Sequence, residues 1–296
     1  MKATILIPTT GDRYDILQYA VRSVLNQTET RFELFVVGDG VEEATRARMP
    51  RLLESDRRIR FFDHPKHSRR GEPYRDRLLK EEASGEIVGY LCDRDLWMPG
   101  HLATHLGVLK DYDFCATQSL WVHPDQTIEV RRRRCLGDLR GIPLTEAGIS
   151  WHPLSTVCHR LDFYKRLPFG WRTTPEGQYT DIYMWEQCLA QPGCRAYLDT
   201  VPTVFYFKRG EKHPGWPVSA RVDELAHWSR KLERPEDLLI VLQTTLSTVI
   251  RERNQWKRKY SAAEERLRGR LLIMGKGPRT WLKEFFCRLK NGKSGD

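Results

Sequence analysis

The 296-residue sequence has no apolar run approaching the ~20 residues that a membrane-spanning helix needs. A strand-like segment already begins at Ala3, which leaves no room for a secretory signal peptide. The seven cysteines include no C-x-x-C pair, which disfavours a structural zinc site. Internal repeats and low-complexity segments are also lacking. We therefore expect a cytoplasmic protein whose cysteines are free, buried thiols.

Positive charge is concentrated near the C-terminus. The chain has a net charge of +10, and residues 251–296, with 14 lysines and arginines against five acidic residues, contribute +9 of it. The high pI therefore describes this segment and says little about residues 1–250. We recognise no nucleic-acid-binding module and expect no nucleic-acid partner.

Four consecutive arginines, Arg131–Arg134, stand in a less regular part of the sequence. One interpretation is an exposed edge strand or loop. The other is a contact with an anionic acceptor, such as a lipid phosphate or an acidic glycan. The sequence leaves both open.

Short apolar strands alternate with amphipathic helices in the first 110 residues. The strands are predicted at residues 3–7, 32–37, 59–62 and 86–92, and the helices at 15–27, 42–55 and 72–83. Further strands are predicted at 150–160 and 201–207. This alternation indicates an α/β fold with a parallel sheet between helices, and such sheets bind ligands at the carboxyl ends of their strands.

Two carboxylates, Asp93 and Asp95, directly follow the fourth predicted strand. Carboxylate oxygens are the ligands that Mg²⁺ and Mn²⁺ prefer, often together with phosphates. A D-x-D triplet is also common in solvated turns, so the triplet alone does not decide. Pro8–Thr10 and Asp39 follow or end neighbouring strands and would lie on the same rim.

The order of these segments resembles the family-two glycosyltransferases, which have the GT-A fold of nucleotide-diphospho-sugar transferases. The similarity is collinear over residues 1–110 and rests on Ile5–Thr9, Ser23–Thr28, Phe32–Gly40, Arg57, Ile59, Arg60, Gly71, Arg75, Ala83–Glu86 and Asp93–Trp97. It implies a Rossmann-like mixed sheet, mostly parallel, flanked by helices and followed here by a C-terminal helical extension.

The resemblance also implies a donor site for a nucleotide-sugar, most simply a UDP-sugar, and an Mn²⁺ or Mg²⁺ ion. Asp39 would accept a hydrogen bond from the uracil N–H. Asp93 and Asp95 would bracket the ribose and the metal, with Asp95 favoured as the direct ligand of the metal. His213 would complete the metal ligands. The implied nucleotide-sugar-binding residues are Pro8, Thr9, Thr10, Asp12, Asp39, Arg75, Asp93, Arg94, Lys208 and Arg209, with Lys212 as a further cation for the leaving group.

Three positions depart from the family pattern. Gly38-Asp39 stands where an acidic pair is usual, which leaves the base contact to one carboxylate. Gly11-Asp12 replaces the usual asparagine. Arg94 interrupts the usual acidic run, and it either assists the diphosphate or points to solvent.

Asp181 matches the acid that serves as general base in the family, although Thr180 precedes it where glutamate is usual. Asp181 could instead cap the helix that follows, and both roles are compatible. Glu176 and Glu186 are the alternative bases. Direct attack by an acceptor hydroxyl would invert the anomeric configuration.

The C-terminal third predicts a long helix that begins at Pro235. Apolar residues are spaced three and four apart from Leu239 to Leu267, interrupted by Arg253, which favours a coiled coil or a packed helix. The segment Thr280–Lys290 places aromatic residues in a basic setting, which suits an anionic membrane surface or another subunit. We expect a homo-oligomer, with peripheral membrane contact as an open alternative.

Together these features predict a transferase domain over residues 1–232, a long helix over 233–270 and a basic amphipathic tail over 271–296. The first would divide into a nucleotide-sugar-binding half, 1–110, and an acceptor-side half, 111–232. The expected function is metal-dependent, inverting transfer of one sugar from a UDP-sugar to a glycan, lipid-linked or protein acceptor. A degenerate binding module and a sugar nucleotidyltransferase are the alternatives.

Overall fold

The computed structural model describes residues 1–130, 152–207 and 217–273, with side chains to residue 265. Several predicted features lie outside these residues: Arg131–Arg134, Lys208, Arg209, Lys212, His213 and the tail after residue 273. The chain divides into two compact units, Met1–Leu239 and Ile240–Asp296.

A mixed sheet forms the centre of the first unit. Its strand order is β3-β2-β1-β4-β8-β6-β9-β5, with β7 paired to β6. The strands are β1 (Ala3–Gly11), β2 (Phe32–Val41), β3 (Ile59–Phe62), β4 (Ile87–Tyr90), β5 (Leu96–Trp97), β6 (Phe114–Val122), β7 (Ile128–Val130), β8 (Val157–Arg160) and β9 (Ala196–Tyr206). The pairs β3-β2, β2-β1 and β1-β4 are all parallel, so these four strands carry their carboxyl ends to one edge.

Helices cover both faces of the sheet because side chains alternate along each strand. Ile5 and Ile7 of β1 join one apolar core, and Leu6 joins the other. The helices are α1 (Tyr14–Leu25), α2 (Glu43–Arg46), α3 (Met49–Ser55), α4 (Glu72–Glu81), α5 (His101–Val108), α6 (Leu161–Lys165), α7 (Thr180–Leu189), α8 (Val218–Glu233) and α9 (Pro235–Ile273). This arrangement confirms the predicted mixed α/β fold with its C-terminal helix.

Some element boundaries differ from the prediction. The helix expected over 42–55 is two helices, α2 and α3, and Pro50 stands in the first turn of α3, where a missing N–H costs least. The strand expected at 150–160 is shorter, since a 3-10 turn at Leu154–Thr156 precedes β8.

Helix α9 begins at Pro235, as predicted, and extends to Ile273. Several of its large apolar side chains are exposed within the single chain, with Trp256 at 73% and Tyr260 at 72%. Within the described ranges, we find no helix that is both long and apolar enough to cross a bilayer.

Candidate active site

Asp93 lies just beyond the carboxyl end of β4 and is held by Thr9, near the end of β1, and by Arg13, just before α1. The residue is 3% exposed. Thr9 Oγ1 donates a hydrogen bond to Oδ2 at 3.0 Å, and Arg13 Nη1 lies 3.2 Å from both carboxylate oxygens. The structure thus brings Asp93 against Thr9 and Arg13, which lie 84 and 80 residues before it in the sequence.

Asp95 is fully buried two residues further on. Its Oδ2 accepts a hydrogen bond from Ser155 Oγ at 2.5 Å, and its Oδ1 accepts one from the Phe207 backbone N–H at 3.0 Å. Burial raises the pKa of Asp95 to about 6 against the opposing charge of Arg94. Asp95 is therefore hydrogen-bonded to Phe207, the last described residue before the sequence segment that contains Lys208, Arg209 and His213.

Three arginines, Arg13, Arg94 and Arg221, place positive charge near this acidic pair, and Arg13 contacts Asp93 directly. Burial lowers the pKa of Arg221, and the positive charges of Arg13 and Arg94 lower it further. Arg94 Nε and Arg221 Nη2 are buried and have no hydrogen-bond partner among the described residues. Arg94 therefore does not simply extend into solvent.

Asp39 lies at the end of β2 and is already hydrogen-bonded within the chain. Its carboxylate accepts hydrogen bonds from Lys66 Nζ and from the His67 backbone N–H, each at 2.5 Å. Gly40, with a φ of 66°, permits this approach, because a Cβ there would lie 2.5 Å from the Lys66 Cβ. A nucleobase that donates a hydrogen bond to Asp39 would share the carboxylate with Lys66 and the His67 N–H.

Two more residues of the predicted donor site make contacts within this loop region. Thr10 Oγ1 donates to the Asp39 backbone oxygen at 2.6 Å. Asp12 accepts a hydrogen bond from Thr45 Oγ1, which in turn accepts the N–H groups of Arg13 and Tyr14. Asp12 thereby positions the start of α1, and Arg13 with it. Half-buried Pro8 pairs with Val37 in the β1–β2 register.

Asp181 lies in the first turn of α7, and its Oδ2 accepts a hydrogen bond from the Leu154 N–H at 3.1 Å. The N-cap position belongs to Tyr179, so the alternative that Asp181 caps this helix is wrong. Burial raises the pKa of Asp181, although Arg75 and other nearby groups oppose this effect. A carboxylate with a raised pKa is a stronger base than an ordinary one.

Arg75 of α4 faces the same region. It is 3% exposed, its guanidinium lies 4.3 Å above the Trp171 ring, and the charge of Asp181 acts on it. Its Nε and Nη2 have no hydrogen-bond partner within the described part of the chain. These buried donors are available to a bound anion.

Glu72 and Arg221 were missed by the sequence analysis. Glu72 is fully buried at the start of α4 and accepts hydrogen bonds from Thr174 and Thr180, so it ties α4 to the start of α7. Its only sequence signal is an acid in the first turn of a helix. Arg221 has no sequence signal, because nothing around it in the sequence indicates that this part of α8 lies near Asp93. Of the alternative bases, Glu176 is exposed and Glu186 is half-buried on α7.

The profile of the family described as glycosyl transferase family 2 matches residues 4–169, which is more than half of the chain. The chain belongs to this family. A curated relative, GalNAc(5)-diNAcBac-PP-undecaprenol beta-1,3-glucosyltransferase from Campylobacter jejuni, is 29% identical over 103 residues. That alignment covers 35% of this chain and 33% of the relative, so the chain matches about a third of that protein's length.

Solved structures of the same fold include TarS 1–349 from S. aureus, with a TM-score of 0.55 and 14% identity over 70% of this chain and 60% of that one. TarS 1–349 in complex with UDP-GlcNAc gives a TM-score of 0.52. The mannosyltransferase PcManGT from Pyrobaculum calidifontis, in complex with GDP-Man and Mn²⁺, gives 0.50 with 18% identity, over 72% of this chain and 58% of that one. At these identities the likeness shows the GT-A fold.

Proposed function

We propose that the protein is a metal-dependent, inverting glycosyltransferase that moves one sugar from a UDP-sugar to an acceptor hydroxyl. The observation that carries the proposal is the placement of Asp93 and Asp95 at the carboxyl end of β4, with Arg13 in contact with Asp93 and the charges of Arg94 and Arg221 nearby. The diphosphate of a nucleotide-sugar is negatively charged, and such cations together with a divalent metal would neutralise it. The TarS and PcManGT structures, which hold UDP-GlcNAc and GDP-Man, support this class of donor.

The donor atoms of Asp93 and Asp95 fit Mn²⁺ or Mg²⁺, since both cations prefer carboxylate oxygen. Each Asp95 oxygen accepts one hydrogen bond and keeps a lone pair, and Asp93 already holds a cationic group, Arg13, across both its oxygens. When bound, such a cation supplies a Lewis acid for the departing diphosphate. His213 is proposed as a further ligand.

The arginines supply fixed positive charge for the same step. Negative charge builds on the leaving nucleoside diphosphate as the bond to the sugar breaks. Arg94 and Arg221 both have a buried nitrogen with no hydrogen-bond partner among the described residues, so they can donate to phosphate oxygens without breaking existing contacts. Lys208 and Arg209 are proposed to add to this charge.

Asp181 is proposed as the general base. It would take the proton from the acceptor hydroxyl as that oxygen attacks the anomeric carbon, and direct attack inverts the configuration. The Leu154 N–H fixes one carboxylate oxygen, and the raised pKa makes Asp181 a stronger base than an ordinary carboxylate. The acceptor is proposed to be a glycan, a lipid-linked sugar or a protein, with the cytoplasm as the site of the reaction.

Two other functions are not favoured. A sugar nucleotidyltransferase usually has a glycine-rich, lysine-bearing loop after the first strand, and Pro8–Arg13 does not fit that pattern. A degenerate binding module would not need Asp181, a carboxylate held at the start of α7, in addition to the acidic pair at β4.

The deciding experiment is a screen of nucleotide-sugars for thermal stabilisation of the protein with and without Mn²⁺. At ~100 times Kd, a ligand that binds only the folded state adds about 2.7 kcal/mol to the free energy of unfolding. We expect one UDP-sugar to raise the Tm only with the metal, and to be hydrolysed slowly without an acceptor. Stabilisation without any turnover would favour the binding module instead.

The affinity for the UDP-sugar in the presence of Mn²⁺ should fall as the pH falls through about 6, because Asp95, whose pKa burial raises to about 6, becomes protonated there and loses its charge. Calorimetric titration of the protein with the UDP-sugar and Mn²⁺ between pH 5 and 8 would measure this change, since a UDP-sugar, unlike UDP, has no phosphate group that titrates in this range. An Asp95→Asn variant is the control and should show no such transition. A flat affinity across this range in the wild type would contradict the role given to Asp95.

Replacing Arg221 with alanine should lower kcat/KM for the nucleotide-sugar by roughly 10-fold or more, since a hydrogen bond to a charged group contributes ~1.5–3 kcal/mol. Steady-state kinetics at a fixed acceptor concentration would measure the loss. Arg230→Ala is the matched control, because Arg230 is exposed on the same helix. Equal kinetics for the two variants would remove Arg221 from the donor site.

We further propose that α9 mediates self-association, because Trp256 and Tyr260 are apolar and exposed in the single chain. Removing residues 251–296 should reduce the mass of the particle measured by light scattering, while nucleotide-sugar hydrolysis is retained. Vesicle sedimentation of the full chain would test the alternative, a membrane contact. If the shortened chain has the same particle mass and the same vesicle binding as the full chain, both self-association and membrane contact through residues 251–296 are contradicted.

A further inference from the structure

A second cluster of ligating side chains lies in the apolar core, apart from the acidic pair. His101 and His105 stand one turn apart on α5, and Cys158 lies on β8. All three are fully buried. Their ligating atoms lie within 4.8 Å of one another, and Cys158 Sγ is 3.8 Å from His101 Nε2.

His105 is the member of this cluster that packing does not explain. Both of its ring nitrogens are buried, and neither has a hydrogen-bond partner in the described part of the structure. Burial lowers the pKa of His105 to about 3, so the ring is neutral and has a free lone pair. A buried polar side chain with no partner requires an explanation, and an unseen ion is one of the ordinary ones.

The surroundings orient His101 towards Cys158. His101 Nδ1 is hydrogen-bonded to Thr203 Oγ1 at 2.8 Å, which leaves Nε2 on the side of the thiol. The imidazole is also stacked on Trp97, with ring centroids 3.9 Å apart. A hydrogen bond from the far nitrogen of a histidine is the usual way in which proteins orient a metal-binding imidazole.

The strand opposite Cys158 leaves room for this arrangement. Gly89 pairs with Cys158 in the β4–β8 register. A Cβ at Gly89 would lie 3.1 Å from Cys158 Sγ and 3.0 Å from the Trp97 ring. Any larger residue would therefore displace the thiol or the ring that supports His101.

We propose that His101, His105 and Cys158 form a binding site for Zn²⁺ or Cu⁺. Zn–N bonds of about 2.0–2.1 Å and Zn–S bonds of about 2.3 Å set neighbouring ligand atoms ~3.5 Å apart in a tetrahedron. The distance between Cys158 Sγ and His101 Nε2, 3.8 Å, is close to this value. Thiolate and imidazole ligands select these cations over Mg²⁺ and Mn²⁺. Cys158 binds as the thiolate, and its proton is released to solvent when the metal enters.

The competing explanation is a thiol–imidazole hydrogen bond within an ordinary core. It accounts for the contact between Cys158 and His101. It leaves His105 without a partner among the described residues, so the two explanations make opposite predictions for a change at His105.

The first test is metal analysis of the full chain, purified without metal-affinity resin or chelator from cells supplied with zinc and copper. We expect about one metal ion per chain, and the analysis shows whether that ion is zinc or copper. His105→Leu and Cys158→Ala should lose it. Cys188→Ala, which changes a fully buried cysteine on α7, and Asp95→Asn should retain it. A wild-type chain with only traces of either metal, or equal content in all variants, would overturn the proposal.

The second test is the direction of the change in Tm for His105→Leu. Without a metal, the variant removes a buried imidazole that lacks partners, and its Tm should rise. With a bound metal, the variant loses a ligand, so its Tm should fall and its sensitivity to chelators should disappear. If the leucine variant does not fold, X-ray absorption of the wild-type protein decides, with nitrogen and sulfur ligands expected and an all-oxygen coordination contradicting the site.

Discussion

Replacing Asp95 with asparagine should lower sugar transfer by roughly 10²–10³-fold, a loss typical of removing one group that stabilises developing charge. The loss should come from the missing negative charge and not from a changed fold. The introduced amide can accept the Phe207 N–H through its oxygen and donate to Ser155 Oγ through its nitrogen, so both contacts of Asp95 have a replacement. Transfer of labelled sugar at saturating Mn²⁺ would measure the effect.

The same variant should be at least as stable as the wild type at neutral pH. The folded-state pKa of Asp95, about 6, lies above its ordinary value of 3.8. The stability associated with this group is therefore fully present below about pH 3.8 and is lost as the pH rises through about 6, a difference on the order of 1–3 kcal/mol. Denaturant unfolding at pH 4.5 and 7.5 should show less dependence on pH in the variant.

Asp223→Asn, at an exposed acid on α8, is the matched control for both measurements. It should leave transfer and the pH dependence of stability unchanged. Full transfer activity in Asp95→Asn would mean that a charged Asp95 is not required, and the metal site proposed at β4 would then be wrong.

Much of the donor side follows from local sequence. The strand that carries Asp39 near its end, β2, and the strand that precedes Asp93, β4, contain apolar runs followed by glycine or acidic residues, and a parallel sheet brings such ends to one edge. The position of Asp93 beside Thr9 could therefore be predicted. Its ion pair with Arg13 could not, because it depends on how Thr45 and Asp12 hold the first turn of α1.

The remaining features depend on contacts between distant parts of the chain. Arg221 reaches the acidic pair because α8 packs beside α1, and no motif around residue 221 indicates this. The absence of C-x-x-C pairs disfavours a structural zinc site, and the sequence does not show that His101 and His105 meet Cys158, because this contact forms only when β8 pairs with β4. The H-x-x-x-H spacing on α5 was the available signal, since residues four apart share one face of a helix.

Asp181→Asn should lower kcat by ~10²–10⁴-fold, the usual contribution of a general base, while leaving the Kd for UDP unchanged. Asparagine can still accept the Leu154 N–H, so the start of α7 should keep its position. The wild-type rate should decline at acid pH as Asp181, whose pKa burial raises, becomes protonated. The variant should lack this decline.

Glu176→Gln is the control for the assignment of the general base. Glu176 is exposed, lies shortly before Asp181 in the sequence and is one of the two alternative bases. It should retain the wild-type kcat and pH profile. If Asp181→Asn kept full turnover and Glu186→Gln lost it, the proton would be taken by the acid farther along α7. If neither variant lost turnover while UDP binding persisted, the acceptor would be deprotonated elsewhere, and the direct role of α7 in inversion would be wrong.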